Sequence, residues 1–155
     1  MKIFAVLSTL ALSFFLTAKQ CDAFTCNGIT ITDECARQIL DGQVQGDEFR
    51  LSNGDTVTIE EIDALSSGTT ECQATVVAQI RVRTGSLLGS VMDGHVWVDG
   101  GVRIDFSNNQ FCMTDPLVQR VEFKGIYDFA ESNYERLGRN VIPNPWCVAL
   151  ANCQA

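Results

Sequence analysis

Residues 71–83 read ECQATVVAQIRVR, and the fold turns on how they are read. The even positions are Cys72, Ala74, Val76, Ala78, Ile80 and Val82, and the odd ones are Gln73, Thr75, Val77, Gln79, Arg81 and Arg83. This alternation has the period of a β-strand with one face buried and the other solvated. On a helix, apolar residues at i, i+2 and i+4 would run right round the cylinder. The stretch is therefore expected to be the central strand of an antiparallel sheet.

Towards the N-terminus, residues 49–59 have the pattern of a hairpin, with Asn53-Gly54 as a type I′ turn. Residues 58–61, TIEE, match a capping box, which predicts a short helix with Ile59, Ile62 and Leu65 turned inward. Asp55, Glu60, Glu61 and Asp63 then form an acidic cluster. It is read as a solvated face near a helix N-terminus, with a cation site as the alternative. Further upstream, residues 24–32 are expected to be extended, with a turn at Asn27-Gly28. Thr32 is placed to cap a helix from Asp33 to about Leu40. Asp33 and Glu34 suit its first turn, Cys35, Ile39 and Leu40 its inner face, and Gly42 its end.

Towards the C-terminus, residues 84–94 read as a loop, with Gly85, Gly89 and Gly94 around an apolar centre of Leu87, Leu88, Val91 and Met92. It lacks the GxxxxGK[ST] pattern of a phosphate-binding loop. A second hairpin is expected from residues 95–98 and 102–106 across Asp99-Gly100-Gly101, with His95 and Trp97 on one face and Val102, Ile104 and Phe106 sharing another. A turn at 107–110 leads to strands at 111–113 and 117–123. Residues 126–137 carry a helical stripe of Tyr127, Ala130, Tyr134 and Leu137, stopped by Gly138. Pro143 and Pro145 make the tail extended or irregular. The sum is one α+β domain over residues 24–155, an antiparallel sheet of about five or six strands with two or three short helices.

Residues 1–23 have a lysine at position 2, an apolar run from Ile3 to Leu16, and small residues at Cys21 and Ala23. This is the pattern of a cleaved secretory signal, too short in its apolar run for a membrane span. Secretion into an oxidising, extracellular space is the expectation. Of the seven cysteines, removal of Cys21 leaves Cys26, Cys35, Cys72, Cys112, Cys147 and Cys153, an even set suited to disulfides. Six cysteines allow 15 pairings. Sequence does not choose among them: Cys35 could reach Cys72 and Cys26 could tie to Cys153, and Cys112 and Cys147 would then remain. No CxxC pair and a single histidine, His95, argue against zinc, and no metal or other cofactor is expected. The formal net charge of −8 speaks against non-specific nucleic-acid binding and against anionic membrane surfaces. A monomer is the expectation.

His95 is the one side chain whose ordinary pKa lies near neutrality. A catalytic reading would join it to Arg103 and Asp105 on neighbouring strands. No GxSxG elbow is present, and no carboxylate pair is marked out for glycoside chemistry. Trp97, Trp146, Tyr127 and Tyr134 are candidates for a sugar or peptide groove, with core packing as the plainer role. Leu87 and Leu88, with Trp97, are the candidate binding residues.

Phe24-Thr-Cys26-Asn-Gly28, followed by a short helix and a late Cys153, resembles the start and end of small secreted effectors of plant-infecting fungi with a ribonuclease-like fold. Residues 102–110, VRIDFSNNQ, are similar to a core strand and turn of microbial guanyl-specific ribonucleases. The resemblance implies a bond from Cys26 to a cysteine near the C-terminus. Those ribonucleases carry a glutamate, an arginine and a histidine on successive strands. Here His95 precedes the matching strand and the late histidine is missing. The resemblance thus implies a non-catalytic member that binds and does not cut. With the exported, cysteine-stapled, acidic composition, the leading expectation is a secreted effector-type protein that binds a host protein partner. The competing readings are an extracellular hydrolase such as a ribonuclease using His95, and a secreted ligand-binding or inhibitor module using the 84–94 loop.

Overall fold

The computed structural model describes residues 23–125 and 127–150. The expected signal segment, apart from Ala23, and Cys153 lie outside the described residues. The described residues open with a hairpin of β1 (Ala23–Cys26) and β2 (Ile29–Thr32). Asn27 and Gly28 both have positive φ, which is why Asn-Gly serves at this two-residue turn. The hydroxyl of Thr32 then accepts the backbone N–H of Cys35 and caps α1 (Asp33–Val44). The helix passes through Gly42 and buries Ala36, Ile39, Leu40 and Val44. Gly42 does not end it, because the apolar stripe continues to Val44 and outweighs one residue's propensity cost.

Six strands follow as a curled antiparallel meander: β3 (Glu48–Arg50), β4 (Thr56–Ser67), β5 (Gln73–Arg83), β6 (Val91–Asp105), β7 (Gln110–Phe123) and β8 (Trp146–Ala149). Sheet order equals chain order, so each strand pairs with its neighbours in sequence. The 71–83 stretch supplies β5, inside the sheet, with Ala74, Val76, Ala78, Ile80 and Val82 all buried, as the alternation predicts. A 3-10 turn (Asp128–Ala130) and α2 (Glu131–Gly138) stand between β7 and β8. Among the described residues no helix is long and apolar enough to cross a membrane.

Five expectations are corrected here. Residues 58–65 are strand, not helix. β4 carries two register shifts against β5, between Ile59 and Glu61 and between Ile62 and Ala64. Each inserts one residue and resets the alternation. Ile59, Ile62 and Leu65 therefore all face the core at a spacing of three, which imitates a helix face. Next, Gly100-Gly101 is not a turn. β6 runs straight through it as one strand of 15 residues. A Cβ on Gly100 would lie 2.6 Å from the Met113 side chain, and one on Gly101 2.6 Å from Thr114 Oγ1. These glycines permit close approach of β7 at an irregular pairing. β7 is likewise one strand, and Pro116 sits at that irregularity, where no ladder N–H is required. Phe106 lies in the β6–β7 turn and is exposed, so it does not share the buried face of Val102. Finally, the Asn53-Gly54 hairpin is not type I′. Leu51 N–H bonds Asp55 O and Gly54 N–H bonds Leu51 O, with positive φ at Gly54 alone of the pair, a type I turn followed by a glycine bulge.

Two disulfides are seen among the described residues. Cys26 is bonded to Cys72, tying the N-terminal hairpin to the start of β5, and Cys112 to Cys147, tying β8 to β7. The expected Cys112–Cys147 pair is present. Cys26–Cys153 and Cys35–Cys72 are not, because the hairpin lies against β5 and β6: Cys72 N–H points to Thr25 O, and Cys26 Sγ to Val102 O. Cys35 is itself disulfide-bonded. Disulfides of this kind suit an oxidising compartment.

The helices close the curl. α1 lies along β4 and reaches β8: Asp41 accepts the N–H of Ile62, and the Gln43 amide bonds both N–H and C=O of Ala149. α2 lies on β7, with Glu131 and Glu135 accepting the N–H groups of Phe123 and Val121. Phe49 of β3 and Trp146 of β8 meet edge to face at 6.3 Å, so the two outermost strands approach one another.

Candidate functional site

His95 lies on the outer face of β6, opposite Gln79 of β5 and Glu122 of β7. Its Nε2 is 3.1 Å from Asp63 Oδ2, and the Gln79 amide donates to Asp63 Oδ1 at 2.7 Å. Asp63 occupies the second bulge of β4, and the extra residue there is what turns its carboxylate across the sheet. Glu60, in the first bulge, pairs with Arg81, which also holds Asp93 at 2.9 Å. Along β6, Trp97 lies with its ring 6.1 Å from His95 and the Arg120 guanidinium 3.9 Å above its centroid. Arg120 is in turn bonded to Glu122. The expected acidic cluster therefore does not form a common site: on β4, Glu60 and Asp63 turn to separate partners on β5 and β6, and Asp55 is bonded elsewhere.

A histidine against a carboxylate can move a proton. This pair, however, sits on the solvated outer side of the curl and not in a concave cleft. Nor does the fold bring the expected partners to it. Arg103 and Asp105 lie 8 and 10 positions further along the same strand, roughly 26–33 Å at extended spacing. Asp105 instead closes the β6–β7 turn. It accepts the Ser107 hydroxyl and both the side-chain amide and the N–H of Asn108, which hold its carboxyl down to about 2. Among the described residues no group of three or more His, Cys, Asp or Glu side chains is placed to hold a metal ion.

Leu87 and Leu88 stand in the β5–β6 loop and are fully exposed, at 108% and 94%. The base of this loop is fixed. Thr84 N–H bonds Ser90 O, Ser90 N–H bonds Thr84 Oγ1, and Gly85 N–H donates to Asp55 Oδ1 at 2.8 Å. Asp55 is buried at 7% exposure and also receives the Tyr134 hydroxyl at 2.6 Å and the Asn53 amide at 2.7 Å. Burial pushes its carboxyl up, but the donors Tyr134, Gly85 and Asn53 outweigh it and leave it below the ordinary carboxylate range. Burial, then the hydrogen bond and charge of Asp55, push the Tyr134 phenol well above its ordinary value. One carboxylate therefore ties the β3–β4 turn, the β5–β6 loop and α2 together. The chain leaving β7 emerges at the same end of the sheet, and its Phe129 is also exposed. Trp97 is not part of this apolar end. It pairs with Val77, six positions before Arg83, roughly 20 Å from the loop.

The inner side of the curl holds a cavity of about 70 Å³. Val76 and Ala78 of β5, Val98 of β6 and Val121 of β7 line its floor, with Tyr134 and Trp146 above. Tyr134 and Trp146 are thus part of the core and its rim. A groove of about 340 Å³ adjoins it beyond Val141, lined by Arg50, Ser52, Arg136, Leu137 and Asn140. Sequence reasoning did not single out Asp63 in this role, nor Arg50, Arg120 or Arg136. The broken alternation of β4 is the one local signal that would have marked Asp63. No family model, curated protein or solved structure matches the chain at a significant level.

Proposed function

We propose that this protein is a secreted, effector-type binder that acts by engaging a protein partner, a host protein where the resemblance to plant-pathogen effectors holds, without catalytic activity of its own. The observation that carries the reading is the leucine pair at the tip of the β5–β6 loop. Two large apolar side chains held in water on a loop with an anchored base gain nothing for the fold. Covering a leucine is worth about 1.5–3 kcal/mol, so the pair offers a contact of several kcal/mol before ordering costs. The anchored base lowers those costs, since less freedom is lost on binding. The catalytic alternative draws less support, because His95 faces Asp63 on an open sheet face, far along the strand from Arg103 and Asp105.

The test uses the disulfide-bonded chain from Phe24, with Leu87→Ser/Leu88→Ser and His95→Ala variants. Because both leucines are exposed, the double variant keeps the parent melting temperature. It loses the partner that the parent cross-links in extracts, while His95→Ala retains it. Capture undiminished by the leucine changes overturns the reading. So does RNA cleavage by the parent that His95→Ala abolishes.

A further inference from the structure

The geometry points to a second binding site, for a single-chain alkyl carboxylate, with its tail in the cavity inside the curl and its head in the groove between Arg50 and Arg136. The cavity and the groove share Val141 as a wall. One side is apolar β-branched and aromatic surface, and the other carries two guanidinium groups, one from β3 and one from α2. In a chain with a formal net charge of −8, two arginines on one small groove are a local reversal of sign. Neither takes part in an ion pair among the described residues, and Arg136 bonds only the neutral Asn133 amide. Arg81 and Arg120, by contrast, are each paired to carboxylates. A guanidinium fork is the side chain best matched to a carboxylate.

The cavity sets the shape of the tail. At about 70 Å³ it is roughly half of the ~150 Å³ that admits a benzene ring. It therefore takes the end of an alkyl chain and not a ring, and the remaining methylenes lie along the half-buried mouth formed by Val141, Ile142 and Trp146. An apolar cavity stays dry, so no ordered water has to be displaced. The wall spans β3 to β8, and the mouth lies where Phe49 and Trp146 bring the outermost strands together. That contact is the natural point of entry.

Octanoate is the probe, with hexanoate and octan-1-ol as comparisons, followed by titration calorimetry. Trp146 fluorescence in a Trp97→Phe background gives a second readout, since Trp97 is the only other tryptophan. The expected result is saturable binding of one octanoate, tightening about fourfold per added methylene from hexanoate. Octan-1-ol binds at least tenfold more weakly. Arg50→Gln and Arg136→Gln each weaken octanoate about three- to tenfold with unchanged melting temperature. Ala78→Val, which adds two methyl groups to the cavity floor, weakens it at least tenfold while the protein stays folded, and Val76→Ile serves if Ala78→Val does not fold. No saturable octanoate binding overturns the inference, as does equal binding of octan-1-ol. Binding indifferent to the cavity and arginine variants also overturns it.

Discussion

Removing the hydroxyl of Tyr134 tests whether one buried carboxylate holds the loop end of the sheet together. Tyr134 and Asp55 are both 7% exposed and bonded at 2.6 Å across 79 residues of chain. A hydrogen bond to a charged acceptor is worth about 1.5–3 kcal/mol. Tyr134→Phe is therefore expected to cost about 2 kcal/mol, since the ring keeps its edge-to-face contact with Phe123 at 5.1 Å. In a domain of this size that lowers the melting temperature by about 5–10 °C. Asp55→Ala removes three accepted bonds and leaves the phenol buried without an acceptor, costing about 3–5 kcal/mol. The double variant should cost less than the sum, with a coupling of about 1.5–2 kcal/mol. Urea titration reads these as shifts in midpoint at constant slope. The sign of the pH dependence follows from the carboxyl. Its folded-state pKa is depressed, so the stabilisation is fully present above the unfolded value of about 3.9 and is lost as pH falls through the lower folded value. The coupling should be constant from pH 7 to about 5 and vanish in more acidic solution. A coupling below about 0.5 kcal/mol at pH 7, or one unchanged in acid, would refute the reasoning.

Three further outcomes are expected. Gly94→Ala should destabilise by about 2 kcal/mol or more, because its Cβ would run into Glu122 O in the neighbouring strand. Gly42→Ala, in α1 with nothing within 4 Å of the new methyl, should stabilise by about 0.5–1 kcal/mol; thermal melts that gave both changes the same sign would refute the assignment of these glycines. Replacing Cys112 and Cys147 together by alanine opens a loop with a sequence separation of 35. This should cost about 3–4 kcal/mol in the chain-entropy picture, seen as a lower urea midpoint, with faster amide exchange in β8 than in β5.

How much was legible depends on how far each signal reached along the chain. The alternation of 71–83, the Asn27-Gly28 turn and the Thr32 cap are each complete within thirteen residues or fewer, and the structure follows them. β4 was misread because its bulges depend on the partner strand, and the inward spacing of Ile59, Ile62 and Leu65 is the same as that of a helix face. Gly100-Gly101 reads as a turn in isolation. Only the positions of Met113 and Thr114 show that the glycines make room. The site was legible in part. His95 and the exposed leucines were marked by residue type, but Asp63 was assigned to the wrong element, and Arg50 and Arg136 are ordinary exposed arginines until the curl sets them on one groove.

The sequence by itself determined the strand at the centre of the sheet, the caps and turns with local donors and acceptors, and a set of cysteines fit for cross-linking. Those are consequences of period, conformational preference and covalent chemistry, which act between neighbours. Tertiary structure alone decided that Cys26 meets Cys72, that Asp63 faces His95 while Asp105 closes a turn, and that Asp55 anchors the loop carrying Leu87 and Leu88. Each of those depends on strand register and on the curl that brings β3 near β8. Register is a property of two chain segments together, and no single stretch of sequence holds it.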